Sequence, residues 1–404
     1  MTTVRRWTGR ETTALRTALR QSLRDFAEYL GVGARTVSKW EAGGVKVCPR
    51  PEMQAALDTA LGRAGAEVEA RFMLLLREQD ERETLAPDDA ERLVSAISRP
   101  SRVDDQVIDS LASVLAAQRR LEDHVGSAAV VIPVSAQLDA LSRMVTDARG
   151  AMRPKLVDVT GQWALFAGWL TANMGRFDVS QSWFDRAAEW AAESGNASLN
   201  SAVLSWKGHL AYLTGQFGPL LGLSQAARRD PGVVMAQRAY DAYQEARGHA
   251  LTKNILEAER CLGEAETLAA QALERPEETP PWAYYHTSPG FYVMEHGLVL
   301  RYLGLHTTNN NSRAIEYLAA GLDALPAEMQ RSEWAADFMY QLAMCHAQGD
   351  DPDEACRRAT QAAEIANATG AVQLVRKLRS LHAQLAGTWP ALPSVSELGE
   401  LVKE

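Results

Sequence analysis

Cysteine is scarce. The 404-residue chain has four, Cys48, Cys261, Cys345 and Cys356, and none stands in CxxC or another metal-ligand spacing. Buried single thiols are the default reading of such a set. The eight histidines are scattered, with no HExxH and no paired-carboxylate pattern. GxGxxG, the Walker sequence and the GxSxG elbow are all missing. Enzymatic activity therefore has no visible carrier, and neither a cofactor nor a metal is expected. Long apolar runs are lacking too: none approaches the ~18 residues of a membrane span, so no membrane partner is expected. The opening residues offer no apolar stretch before Glu11. No signal peptide is expected there, and the expected location is cytoplasmic.

What is present is ordinary in bulk and uneven in distribution. Apolar residues make up 46% and charged residues 23%, normal for a globular protein, and the length suggests two or three domains. Through Pro51 ten Lys and Arg face four acidic residues, a balance of +6, and with −9 overall the remainder carries −15. A basic arm on an acidic body is the electrostatic footprint of a nucleic-acid binder.

Residues 22–41 carry the sharpest local pattern. Ser22 is a good N-cap, with Asp25 three residues on. Phe26, Ala27 and Leu30 share a helical face, and Gly31 supplies a left-handed stop. Val37 and Trp40 resume the period after a turn too short to be a loop. Two short helices joined by a glycine turn are a helix-turn-helix unit. A plain helical hairpin would show the same pattern, and the charge balance separates the two.

The stretch resembles the helix-turn-helix of lambda-type phage repressors and of the repressor-like (xenobiotic-response-element) regulator family, over roughly residues 9–62. Ala27 fits the small residue of the family's first helix, Gly31 its turn glycine and Val37 its buried branched residue. Arg16 and Glu41 match its arginine–glutamate pair. Leu23 stands where the family often has a DNA-reaching Gln, and Gly33 where Ser or Thr usually opens the second helix. The resemblance implies a recognition helix over about 33–41, with Ala34, Arg35, Thr36, Ser38 and Lys39 facing double-stranded operator DNA. Arg24, Lys46 and Arg50 are then placed for phosphates. Members of the family read paired half-sites, so a homodimer is implied.

After a proline-punctuated linker over 79–105, nearly every segment has helical period. Gly175, Arg176 and Phe177 are echoed 40 residues later by Gly215, Gln216 and Phe217, with Gly168 and Gly208 equally far upstream. This resembles the tetratricopeptide repeat, carried on by Ala246 with Ala258, by Gly297 with Ala314 and by Ala343 with Ala355. The expected fold is all-α: a helix-turn-helix domain (1–78), the linker, a tetratricopeptide-like solenoid (106–390) and a tail (391–404). The whole layout, including Trp7, the Pro49-Arg50-Pro51 loop and the run Gln118-Arg119-Arg120-Leu121, resembles long repressor-like regulators of actinobacteria. On the inner surface the repeat spacing places Leu165, Trp169, Asn173, His209, Tyr212, Tyr243, Arg247, Arg301, Tyr302 and Tyr340, a set suited to a peptide or small-molecule effector. Residues 280–292 interrupt the repeats with aromatics between prolines, as a lid over the groove or a packed surface loop. The tail reads as a docking helix or a dimer contact.

Two functions fit. One is a DNA-binding transcriptional regulator whose repeat half dimerises and senses an effector. The other is a DNA-localised scaffold whose repeats hold a protein partner.

Overall fold

The computed structural model describes residues 4, 6–44, 47–65, 68–73, 75–76 and 103–403. The chain divides into two compact units, Met1–Asp88 and Asp89–Glu404. The expected linker lies outside the described residues up to 102. All regular structure among the described residues is helical.

The first unit packs α1 (Gly9–Ala18), α2 (Leu23–Tyr29), α3 (Ala34–Gly43) and α4 (Pro51–Arg63). Its core holds Trp7, Leu15, Phe26, Val37, Trp40, Leu57 and Phe72. Local chemistry sets each start. Thr8 and Glu11 form a capping box on α1, the Ser22 hydroxyl accepts from the Asp25 amide, and Pro51 occupies the first turn of α4. Gly33 caps α3 without a side-chain bond. Trp7 Nε1 donates to Asp58 Oδ1 at 2.7 Å, which ties the chain before α1 to α4.

Among the described residues the second unit begins with α5 (Asp105–Val125) and α6 (Ser127–Asp147). Antiparallel pairs follow: α7 (Met152–Asn173) with α8 (Phe177–Ser194), α9 (Ala197–Leu213) with α10 (Phe217–Ala227), and α11 (Met235–Leu251) with α12 (Ile255–Glu274). After a 3₁₀ segment at Pro281–Thr287 come α13 (Pro289–Leu303) with α14 (Thr308–Asp323) and α15 (Glu333–Gln348) with α16 (Pro352–Thr369). The last helices are α17 (Val372–Thr388) and α18 (Pro393–Val402). This is the stacked-pair architecture that the tetratricopeptide resemblance implies. By length and composition α6 is apolar enough to cross a bilayer. Its Val130, Val134, Leu138, Leu141 and Met144 lie in the core, which accounts for that composition.

One turn recurs between the helices of a pair. Arg176 N–H donates to Thr171 O, Gln216 to Ala211, Asn254 to His249 and Asp351 to His346, at 2.7–3.0 Å. The residue before each donor is left-handed: Gly175, Gly215, Lys253 and Asp350, with φ between 58° and 74°. This six-to-one bond satisfies the carbonyls that end a helix. The two glycine versions were legible as a repeat. Lys253 and Asp350 adopt the same conformation without the residue that signals it.

The tail is a docking helix, with Val395, Leu398 and Val402 of α18 buried against α16 and α17. Residues 280–292 are neither surface loop nor outer lid. Trp282, Ala283 and His286 are buried, and the 3₁₀ segment packs on α5 from inside the stack.

The stack closes on itself. Ser127 N–H donates to Glu333 Oε1 at 3.0 Å across 206 residues of sequence, and α7 touches α17. Gly126, at φ +84°, makes the approach possible: a Cβ there would lie 2.5 Å from Thr369 Cβ and 2.6 Å from Thr369 O. Gly126→Ala is therefore expected to destabilise the second unit by about 1–3 kcal/mol. Urea denaturation with the wild type alongside measures this, and an unchanged midpoint would show that the junction yields freely.

Candidate functional site

Closure leaves a cavity of about 120 Å³ inside the second unit, against the roughly 10–15 Å³ that one water needs on that measure. Its wall is built by the inner helix of each pair together with α5, the 3₁₀ segment and α17. Rings dominate: Phe166, Trp169, Trp206, Tyr212, Tyr240, Tyr285, Phe291 and Trp334.

Of the residues expected on the inner surface, Trp169, Asn173, His209, Tyr212 and Arg247 line this cavity. The others do not. Leu165 is in the core of the first pairs. Tyr243 turns toward α13, where it stacks on Tyr292 and faces His296. Tyr302 stands behind the wall, its hydroxyl bonded to that of Tyr212, with Arg301 over its ring. Tyr340 lies under the Lys377 ammonium, 5.9 Å from ring centroid to Nζ. The reason is helical tilt. The cavity meets the C-terminal halves of α7 and α9 but the N-terminal halves of α13 and α15, at Phe291, Glu295, Glu333 and Asp337. A fixed distance from the helix-crossing residue overshoots in the later pairs.

Asn173 also departs from the expected peptide contact. Its amide donates to Ser127 Oγ at 2.9 Å and to Glu333 Oε2 at 3.3 Å. Ser127 Oγ in turn lies 2.7 Å from Glu122 Oε1 and 2.8 Å from Glu333 Oε2. One hydroxyl hydrogen cannot serve two carboxylates. Burial, with Asp123 and Glu333 nearby, pushes Glu122 up to about 8. Burial raises Glu333 too, so a proton held on this carboxyl pair answers the contact that the Ser127 hydrogen does not.

Several other polar wall groups have partners. Asp123, raised to about 6 by burial, accepts from the Tyr284 hydroxyl and from Trp334 Nε1. Asp337 pairs with Lys377 at 2.5 Å. Arg247 donates to Gln244 Oε1 and lies 4.4 Å over the Tyr212 ring. Burial, then the Arg247 charge, holds His209 well below its ordinary pKa, so it is neutral. Burial lifts Glu295 to about 7. Sequence reasoning missed Arg119, Glu122 and Asp123. The available signal was a stripe, Val107, Leu111 and Leu115, that continues at helical spacing into charged Arg119 and Glu122.

In the first unit, Arg35, Thr36, Ser38 and Lys39 are exposed along α3, with Ala34 partly covered and Arg24 and Arg50 exposed. Val37 and Trp40 face the core. Arg16 grips Glu41 through Nε at 2.6 Å and Nη2 at 3.1 Å, which fixes α3 against α1. Arg35, Thr36, Lys39 and Arg50 share a shallow surface groove. Lys46 lies outside the described residues.

No family model and no curated protein matches the sequence. Among solved structures the chain is similar to one described as "Crystal structure of APC/C hetero-tetramer Cut9-Hcn1", at 13% identity over 96% of this chain and 68% of that one, with a TM-score of 0.39. A likeness of that degree adds nothing to what the helix pairs define: an all-α protein with a closed stack around an aromatic cavity.

The raised carboxyls set a pH dependence. Glu122 (about 8), Asp241 (about 7) and Glu295 (about 7) bind protons in the folded state that the unfolded chain has released. Their stabilisation is complete below pH 4 and is lost as pH rises through the folded values. His286 and His296, lowered to about 3 and about 4, oppose this only below pH ~6.5, where the unfolded imidazoles charge. The melting temperature should therefore fall from pH 6.5 to 8.5. Glu122→Gln, which keeps a donor toward Ser127, should flatten that fall. Parallel pH curves for wild type and variant would show that Glu122 carries no extra proton.

Proposed function

We propose that this protein is a sequence-specific DNA-binding transcriptional regulator whose helical stack senses a small effector in its interior cavity. The observation that carries the reading is the exposed face of α3. Arg35, Thr36, Ser38 and Lys39 point outward from a helix held by Arg16 and Glu41, with Arg24 and Arg50 exposed nearby. An N-terminal face of that composition suits a major groove: Arg35 for guanine, Lys39 for guanine or phosphate, and the Thr36 methyl for thymine. The balance of +6 through Pro51 supports it. An effector changes DNA affinity only by binding one state of the protein better than another. Paired half-sites call for a homodimer.

A second reading has the stack hold a protein partner, with DNA binding serving only to localise it. Stacked helix pairs commonly present such surfaces, and Ile132 and Leu256, 77% and 80% exposed, offer apolar contacts on the outer surface. Under that reading, Ile132→Ser with Leu256→Ser removes the partner while cavity ligands leave DNA affinity unchanged.

The test of the first reading is a titration of Arg35→Ala and Arg24→Ala on operator and on scrambled DNA at several salt concentrations. Arg35→Ala should cost about 1–3 kcal/mol on operator and relax one base pair per half-site. Arg24→Ala should weaken both DNAs alike and lower the salt slope by roughly one. Equal losses on both DNAs for Arg35→Ala would remove its base-reading role. No effect of either change would remove DNA reading by α3.

A further inference from the structure

Arg119 is a cavity-wall charge without a hydrogen-bonded partner, with Tyr285, Tyr284, Glu122 and Asp123 near enough to act on it electrostatically. Its side chain is 6% exposed, and its Nε is buried with no hydrogen-bond acceptor. It makes no hydrogen bond or ion pair with any described residue. The Phe166 and Trp282 rings, 4.7 and 5.8 Å from the guanidinium carbon, hold its plane but supply no acceptor of the N–H kind. The carboxylates nearest in sequence are committed elsewhere, Glu122 to Ser127 and Asp123 to Tyr284 and Trp334. A buried, unpaired guanidinium is costly, and its fork of donors matches a carboxylate with two parallel bonds.

The same cavity is lined by the rings of Trp169, Trp206 and Trp334, with Glu122, Asp123, Tyr284 and Tyr285 among its polar groups. Farther round the wall, Glu295 has an Oε2 that is also buried without a partner.

We propose that the cavity binds a small organic anion, a carboxylate on a flat apolar body, with Arg119 taking the carboxylate and the tryptophan rings the body. This rests on the cavity being the effector site of the function proposed above. Of a peptide and a small molecule it takes the second, in keeping with a cavity of about 120 Å³.

The test is calorimetric titration of the full chain, without DNA, with 1-naphthoate, 1-naphthamide and 1-naphthylmethylammonium. Wild type should prefer the acid over the amide by roughly tenfold or more, the scale of a charge-assisted hydrogen bond, and should bind the amine weakest. Arg119→Met should erase the preference of acid over amide. Without ligand it should melt no lower than wild type, because a desolvated charge has been replaced by an apolar chain. Arg119→Lys, which keeps the charge but loses the fork, should fall between the two. Equal affinity of wild type for acid and amide overturns the proposal, as does a preference that survives in Arg119→Met, or no binding of any probe at millimolar concentration. The DNA reading fails separately. Naphthoate bound with no change in DNA affinity keeps the anion site and removes the sensor role.

Discussion

The second unit depends on the contact at Ser127. One hydroxyl, two carboxyls and one amide bring α5, α6, α7 and α15 together, and Gly126 leaves the backbone room to enter. Helix pairs that stack with a constant twist form an open spiral unless something joins the ends. Here the join is polar and largely buried, so it is specific: Glu333 reaches Ser127 and Asn173 only when the stack is closed. The cavity is a product of that closure and not of any single pair.

Charges inside the closed stack are handled in three ways. Some groups give up charge, as Glu122 does by holding a proton and His286 by staying neutral. Some are matched, as Asp337 is by Lys377. Some lean on rings, as Arg247 does on Tyr212 and Arg119 on Phe166. Only the first two restore what water would have given. Arg119, Arg301 and Glu295 belong to a group of buried polar side chains whose nitrogen or oxygen atoms lack a hydrogen-bond partner.

The sequence made the helical hairpins legible wherever glycine marked the turn. Gly31, Gly175 and Gly215 are left-handed as their positions imply. The period blurred where Lys253 and Asp350 adopt the same backbone, and where residues 276–288 interrupt the pairs. The inward faces of α7 and α9 were readable, hence Trp169 and His209. Helical tilt, which no spacing records, moved the wall away from Arg301, Tyr302 and Tyr340. Arg119 was hidden for a different reason: a charge that continues an apolar stripe reads as the end of the stripe unless the helix is known to face an enclosed space. The outward face of α3 was legible because Val37 and Trp40 fix its phase.

The 3₁₀ segment Pro281–Thr287 has a consequence for how such a chain can change over time. Open helical solenoids lengthen or shorten by whole repeats, since each contacts only its neighbours. Here Trp282 and His286 fill the interior between non-adjacent helices, and Ser127 must still reach Glu333. A duplicated or deleted pair would break both contacts at once. The number of pairs is thus locked, and variation is confined to side chains on the wall and to the outer helices.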